Sequence, residues 1–124
     1  MQLRALPESY AVVRLQPGAE LPAWVDMGPF RSVTRTEQEV SVVCRDHDVP
    51  DGESAERGWT VLEVVGPLDF SLSGLVASLV VPLAEAEVPI FVISTFESDY
   101  VLVRSSDLAR AADALEDAGH AFAA

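Results

Sequence analysis

Five prolines, Pro7, Pro17, Pro22, Pro29 and Pro50, punctuate the N-terminal half of the chain. Proline lacks a backbone N–H and its ring crowds the preceding helical turn, so no long helix fits between them. The segments left over have β character. Tyr10–Leu15 (YAVVRL), Arg31–Thr36 (RSVTRT) and Val40–Arg45 (VSVVCR) are rich in β-branched residues and read as strands. Leu21–Met27 has room for one helical turn carrying Trp24, and the polar stretch Asp46–Gly58 reads as a loop.

Beyond Gly58 the pattern changes. Trp59–Val65 (WTVLEVV) reads as a strand that Gly66-Pro67 stops. Leu72, Leu75, Val76, Leu79, Val80 and Leu83 then share one helical face, which predicts a helix over Ser71–Ala86. Asp69, Ser71 and Ser73 offer N-cap oxygens, and Pro82 predicts a kink or an end near Val81, with a short continuation. The continuous apolar run Pro89–Thr95 (PIFVIST) predicts a strand buried on both faces or central in its sheet. Phe96–Ser98 is the turn to a hairpin partner, Asp99–Arg104 (DYVLVR). A second helix is expected over Ser105–Ala118, with a cap at Ser105 or Ser106. Leu108, Ala111, Ala112 and Leu115 line its inner face, Gly119 closes it, and a short strand comes after it at His120–Phe122. The order is βαββαβ, the ferredoxin-like α+β arrangement: an antiparallel sheet with helices on one face.

The two halves echo each other. Val33 matches Ile93, Thr34 matches Ser94, Glu37 matches Glu97, Glu39 matches Asp99, and Val42 and Val43 match Leu102 and Val103. A repeat would mean two side-by-side units; two unrelated amphipathic hairpins are the alternative.

Charge removes several function classes. Twenty acidic residues against eight arginines give a net charge of −12, which repels phosphate backbones and anionic membrane surfaces. Neither nucleic acid nor membrane is an expected partner. Solubility is the plain reading of the charge, and a preference for cationic ligands the sharper one. The single cysteine, Cys44, sits in an apolar run and reads as a buried, inert thiol; a lone cysteine fits a reducing compartment. Met1–Ala5 lacks a signal-peptide pattern and no window is apolar enough to span a bilayer, so a cytoplasmic location is expected. Asp46, Asp48, Asp51 and Glu53 resemble a calcium loop only faintly: Arg57 stands where the closing glutamate belongs, so a solvated acidic loop is expected. No metal, no cofactor and no nucleophile–base set is expected, and the chain reads as non-catalytic.

Several stretches carry a family resemblance: Phe30–Thr36 (FRSVTRT), Glu56–Trp59 (ERGW), Gly66–Leu72 (GPLDFSL), Gly74–Leu83 and above all Ile93–Val103 (ISTFESDYVLV). In these the chain resembles small tandem-ACT proteins, relatives of the ACT domains in the CASTOR arginine sensor. The resemblance covers most of the chain. It implies a degenerate ACT-like half at residues 1–58 and an ACT domain at 59–124. It also implies a regulatory module that binds an amino acid or similar metabolite, pairs as a homodimer and needs no cofactor. The alternative is an ACT-fold interaction module that has lost its ligand.

The expected ligand site joins two stretches. Asp69, Phe70, Ser71, Leu72 and Gly74 lead into a helix N-terminus, whose free N–H groups and dipole suit a carboxylate. Gly74 allows close backbone approach. Ile93, Ser94, Thr95, Phe96 and Asp99 form the second wall; the resemblance implies ligand contacts by Thr95, Phe96 and Asp99, with Asp99 pairing an ammonium or guanidinium group. Each has a structural reading as well: Asp69 and Asp99 as turn or cap residues, Phe96 as packing, Gly74 as a helix-packing residue.

Overall fold

The computed structural model describes residues 1–65 and 74–123. In chain order the strands and helices are β1 (Gln2–Ala5), β2 (Tyr10–Leu15), β3 (Ser32–Arg35), β4 (Val40–Arg45), β5 (Ala55–Val64), α1 (Leu75–Glu85), β6 (Ile90–Ser94), β7 (Asp99–Arg104), α2 (Leu108–Asp117) and β8 (Ala121–Phe122). The chain divides into two compact units, Glu8–Trp59 and Met1–Pro7 with Thr60–Ala124. The first is called the N-terminal unit below and the second the C-terminal unit.

The N-terminal unit orders its strands β3-β4-β2-β5. Alternation along β2 and β4 sends Ala11, Val13, Val40, Val42 and Cys44 to one face, where they pack with Val25 and Val49. Cross-strand pairing joins the same residues: Ala11 opposes Cys44 and Val13 opposes Val42. The only helical pieces described here are single 3-10 turns, Ala23–Asp26 and Asp46–Asp48. Val25, from the first turn, is fully buried, and no helix longer than these turns is described in this unit. That is the outcome proline spacing predicts.

The segment expected as a loop, Asp46–Gly58, is partly structured: β5 begins at Ala55. Its start is disguised by a bulge, where the register against β2 shifts between Tyr10 and Val12 and Gly58 adopts φ +79°. Arg57 anchors the preceding loop by donating to Asp46 Oδ1 at 2.7 Å, to the Val49 carbonyl at 3.1 Å and to the Pro50 carbonyl at 3.0 Å. A tertiary bonding pattern of this kind has no signature in local propensity.

The C-terminal unit has the ferredoxin-like order with one addition. β6 pairs with β7, β7 with β5, β5 with β1, and β1 with β8. β1 was not expected as a strand, since among its four residues only Leu3 is buried. It lies antiparallel to β5 and parallel to β8, so the sheet is not purely antiparallel. The helices cover one face. Leu79 and Leu83 from α1, and Ala111 and Leu115 from α2, pack on Leu3, Leu62, Val64, Val101 and Val103. β6 differs from expectation: among the described residues it pairs only with β7, and Val92 is 37% exposed. It is an edge strand. An apolar run of strand length does not distinguish edge from centre; here β5 and β7 hold the buried central positions.

Pro82 sits inside α1, which runs on to Glu85, the short continuation the sequence allowed. Proline has no N–H to offer the carbonyl four residues back, which belongs to Ser78. His120 Nε2 lies 2.8 Å from that same carbonyl oxygen. The ring thus supplies the donor that the helix lacks. This bond requires a proton on Nε2, and among the described residues the buried Nδ1 has no hydrogen-bond partner. The other end of the unit follows expectation more closely. A 3-10 turn at Ser105–Asp107 leads into α2, whose N-cap residue is Asp107 rather than Ser105 or Ser106. Gly119, at φ +99°, ends the helix. No helix among the described residues is long and apolar enough to cross a membrane.

Candidate functional site

The tip of the β6–β7 hairpin is built by one threonine. Thr95 N donates to the Ser98 carbonyl at 2.8 Å. The Thr95 hydroxyl donates to the same carbonyl at 3.1 Å and accepts from Ser98 N, also at 3.1 Å. The side chain thus closes the turn on itself and retains one lone pair. Just outside this turn, Ser94 and Asp99 form the closing cross-strand pair.

Asp99 is half-buried, and its Oδ1 accepts a hydrogen bond from Ser94 Oγ. Among the described residues Oδ2 accepts none, so one carboxylate oxygen stays available to a cation. Phe96, at the apex, is 81% exposed and is not a core residue. Ile93 is half-buried and Ser94 exposed on β6.

Ser98, which sequence reasoning did not select, is buried at 9% exposure. Its Oγ donates to the Val64 carbonyl at 2.8 Å. The hairpin tip is therefore bonded to the last residue of β5, from which the chain leads into residues 66–73. A second bond holds the same place: Val65 N donates to the Gln2 carbonyl of β1 at 2.9 Å.

Asp69, Phe70, Ser71 and Leu72 lie outside the described residues, as do the alternative cap Ser73 and the helical position Leu72 would hold. Gly74 is described, and it is the N-cap residue of α1 at φ +80° and ψ 4°. No atom lies within 4 Å of where a Cβ would stand. Tight helix packing is therefore not the reason for glycine here; the left-handed backbone is.

Two acids of the faint calcium loop are engaged by arginines. Asp46 pairs with Arg57, while Asp48 takes Arg45 Nε at 2.7 Å. Cys44 is fully buried, and its thiol is pushed up to about 11, first by burial and then by the Asp48 and Asp46 carboxylates. A thiol held protonated in this way is a core residue rather than a nucleophile. A shallow groove of about 200 Å³ opens elsewhere in the N-terminal unit, lined by Val12, Arg14, Glu39, Ser41, Ser54 and Glu56 among others. Its Arg14 donates to the Gln38 carbonyl at 3.1 Å.

Comparison with known proteins identifies the fold and the family. Protein Atu0741 from Agobacterium tumefaciens has a solved structure that is 41% identical, covers 98% of this chain and 91% of that one, and superposes with a TM-score of 0.94. The regulatory subunit of aspartate kinase from Thermus thermophilus, 12% identical with a TM-score of 0.65, covers 92% of this chain and 94% of that one and shares the fold. The bovine cytosolic arginine sensor for mTORC1 subunit 1 is 30% identical over 90 residues; the match takes in 64% of this chain and 27% of the sensor. The chain thus corresponds to only a part of that relative. A family model described as an N-terminal domain matches residues 8–52, and the ACT domain model matches residues 54–117. The chain belongs to the ACT domain family.

Proposed function

We propose that this protein is a non-catalytic regulatory or sensor module that binds a free amino acid at the β6–β7 hairpin tip. The observation that carries the reading is Asp99. It stands beside a turn locked by Thr95 and an exposed Phe96, with Oδ2 unengaged among the described residues. A carboxylate in that position suits the ammonium of an amino acid, or the side chain of a cationic one. In this reading Asp69, Phe70, Ser71, Leu72 and Gly74 supply the wall for the ligand carboxylate. Ile93, Ser94, Thr95 and Phe96 complete the site with Asp99. Residues 1–58 are a degenerate ACT-like half and 59–124 the ACT domain, and a cytoplasmic location belongs to the same picture. Membership of the ACT family and the likeness to an arginine sensor support it. The test is calorimetry of the full chain against the twenty L-amino acids at millimolar concentration. At least one is expected to bind, and Asp99→Ala to abolish that binding without loss of fold. No binding across the panel refutes the reading.

A separate observation favours a second reading, a homodimer through the β6 edge. Ile90–Ser94 carries no charged side chain and its outer edge pairs with no described strand. In a chain of net charge −12, an uncharged edge is where two copies approach at least electrostatic cost. Light scattering is expected to show a dimer that Val92→Glu dissociates; a monomer at all concentrations contradicts it.

A further inference from the structure

We propose that Ser98 is a positioning residue of the amino-acid site, setting the gap between the hairpin tip and the end of β5. The inference rests on the binding reading above. Its own basis is geometric. The hairpin tip and the end of β5 are remote in sequence; beside the pairing of β7 with β5, a buried side-chain hydrogen bond, Ser98 Oγ to the Val64 carbonyl at 2.8 Å, ties the turn itself to the end of β5. The same hydroxyl lies 3.4 Å from the Asp99 carbonyl, a much poorer acceptor distance, so its single proton goes to Val64. Ser98 also contributes its N–H and its carbonyl to the Thr95 turn. One residue therefore joins the turn that presents Asp99 to the strand that delivers the chain to residues 66–73. Val65 N is held at the same point by the Gln2 carbonyl, which fixes β5 while Ser98 fixes the tip against it.

A carboxylate can engage a ligand cation only at hydrogen-bonding distance, and small displacements forfeit the interaction. Removing the Ser98 hydroxyl leaves Asp99 in place chemically but removes the bond that ties the turn to the Val64 carbonyl. The test uses the full chain and whichever L-amino acid the wild type binds in the panel. Ser98→Ala is expected to weaken binding by about tenfold, the loss of one buried neutral hydrogen bond, and to speed hydrogen exchange at the Thr95 and Ser98 amides. Ser98→Thr keeps a hydroxyl and is expected to restore most of the affinity. Val25→Ala, in the core of the N-terminal unit, lowers stability and is expected to leave affinity unchanged, which separates positioning from general destabilisation. Should Ser98→Ala fail to fold, Ser98→Cys carries the same comparison, since it keeps the volume and weakens the donor. Wild-type affinity in a folded Ser98→Ala or Ser98→Cys variant overturns the assignment and leaves the binding reading standing. A wild type that binds nothing in the panel removes the binding reading, and the assignment with it.

Discussion

The hairpins β3–β4 and β6–β7 are built on one plan and finished differently. Thr36 N donates to the Glu39 carbonyl at 2.9 Å, and Thr36 Oγ1 accepts from Glu39 N at 3.2 Å. Thr95 and Ser98 repeat both bonds. Each hairpin continues as a six-residue strand ending in an arginine, Arg45 or Arg104, with a 3-10 turn immediately after it. This correspondence sets Thr36 on Thr95 and Arg45 on Arg104, one position away from the echo read in the sequence. Hydrophobic alternation tolerates the slip because Val42 and Val43 match either neighbour; the shared turn does not.

The difference lies at the tips and in the segments after the second strand. The apex residue after the threonine is Glu37 in one hairpin and Phe96 in the other. The closing pair is Arg35 with Val40 in one, and Ser94 with Asp99 in the other. Val40 is fully buried and offers no acceptor. After the 3-10 turn, one chain grows into α2, while the other meets Pro50 and becomes a loop anchored by Arg57. This divergence within a shared frame is why the proposed ligand site is placed on the C-terminal hairpin.

If the C-terminal unit depends on its helix layer, truncating that layer is the largest available perturbation. Leu83→Ala is expected to cost about 3 kcal/mol, and Val25→Ala, its nearest counterpart in the N-terminal core, about 1.5 kcal/mol, both by chemical denaturation. Equal costs would break the contrast. Next in size is an alkaline effect in the N-terminal core, where Cys44 stands at the position Val103 holds in the other hairpin. Its folded thiol lies at about 11 against an ordinary value of 9.0. Between those values the unfolded chain loses the thiol proton and the folded chain keeps it, so stability is complete below pH 9 and falls as pH rises. The loss approaches about 2–3 kcal/mol by pH 11. Cys44→Val is expected to flatten this part of the stability–pH curve, and an unchanged slope would count against it.

His120→Ala should cost about 1–2 kcal/mol by orphaning the Ser78 carbonyl. Pro82→Ala restores an N–H to that carbonyl, so the same His120 substitution should cost less in its background. Additive effects in this double-mutant cycle would show that the ring does not compensate for the proline. The smallest effect concerns the turns. Thr36→Val and Thr95→Val are each expected to cost about 1 kcal/mol, because both lose the hydroxyl that accepts the amide three residues on. A clear inequality would mean the two turns are not equivalent.

Much of this organisation is legible in the residues alone. Tyr10–Leu15, Val40–Arg45 and Asp99–Arg104 are readable to the residue, since each combines β-branched side chains with turn residues at both ends. β1 is not, because one buried leucine in four residues carries no period. The start of β5 is hidden by Gly58 and Arg57, and the edge position of β6 by its uniform apolarity. Of the site, Thr95, Phe96 and Asp99 stand out through a family resemblance, whereas Ser98 and His120 do not. Their partners, the carbonyls of Val64 and Ser78, are remote in sequence, and nothing local in a serine or a histidine announces such a bond.

The sharpest contrast between the two hairpins comes from an amide chemical-shift titration of the full chain with the twenty L-amino acids, read at both tips at once. At least one amino acid is expected to shift Thr95–Asp99 in a saturable manner and to leave Thr36–Val40 unmoved. Shifts confined to Thr36–Val40 or to the Arg14–Glu56 groove, or none anywhere at millimolar concentration, would contradict ligand binding at the C-terminal tip.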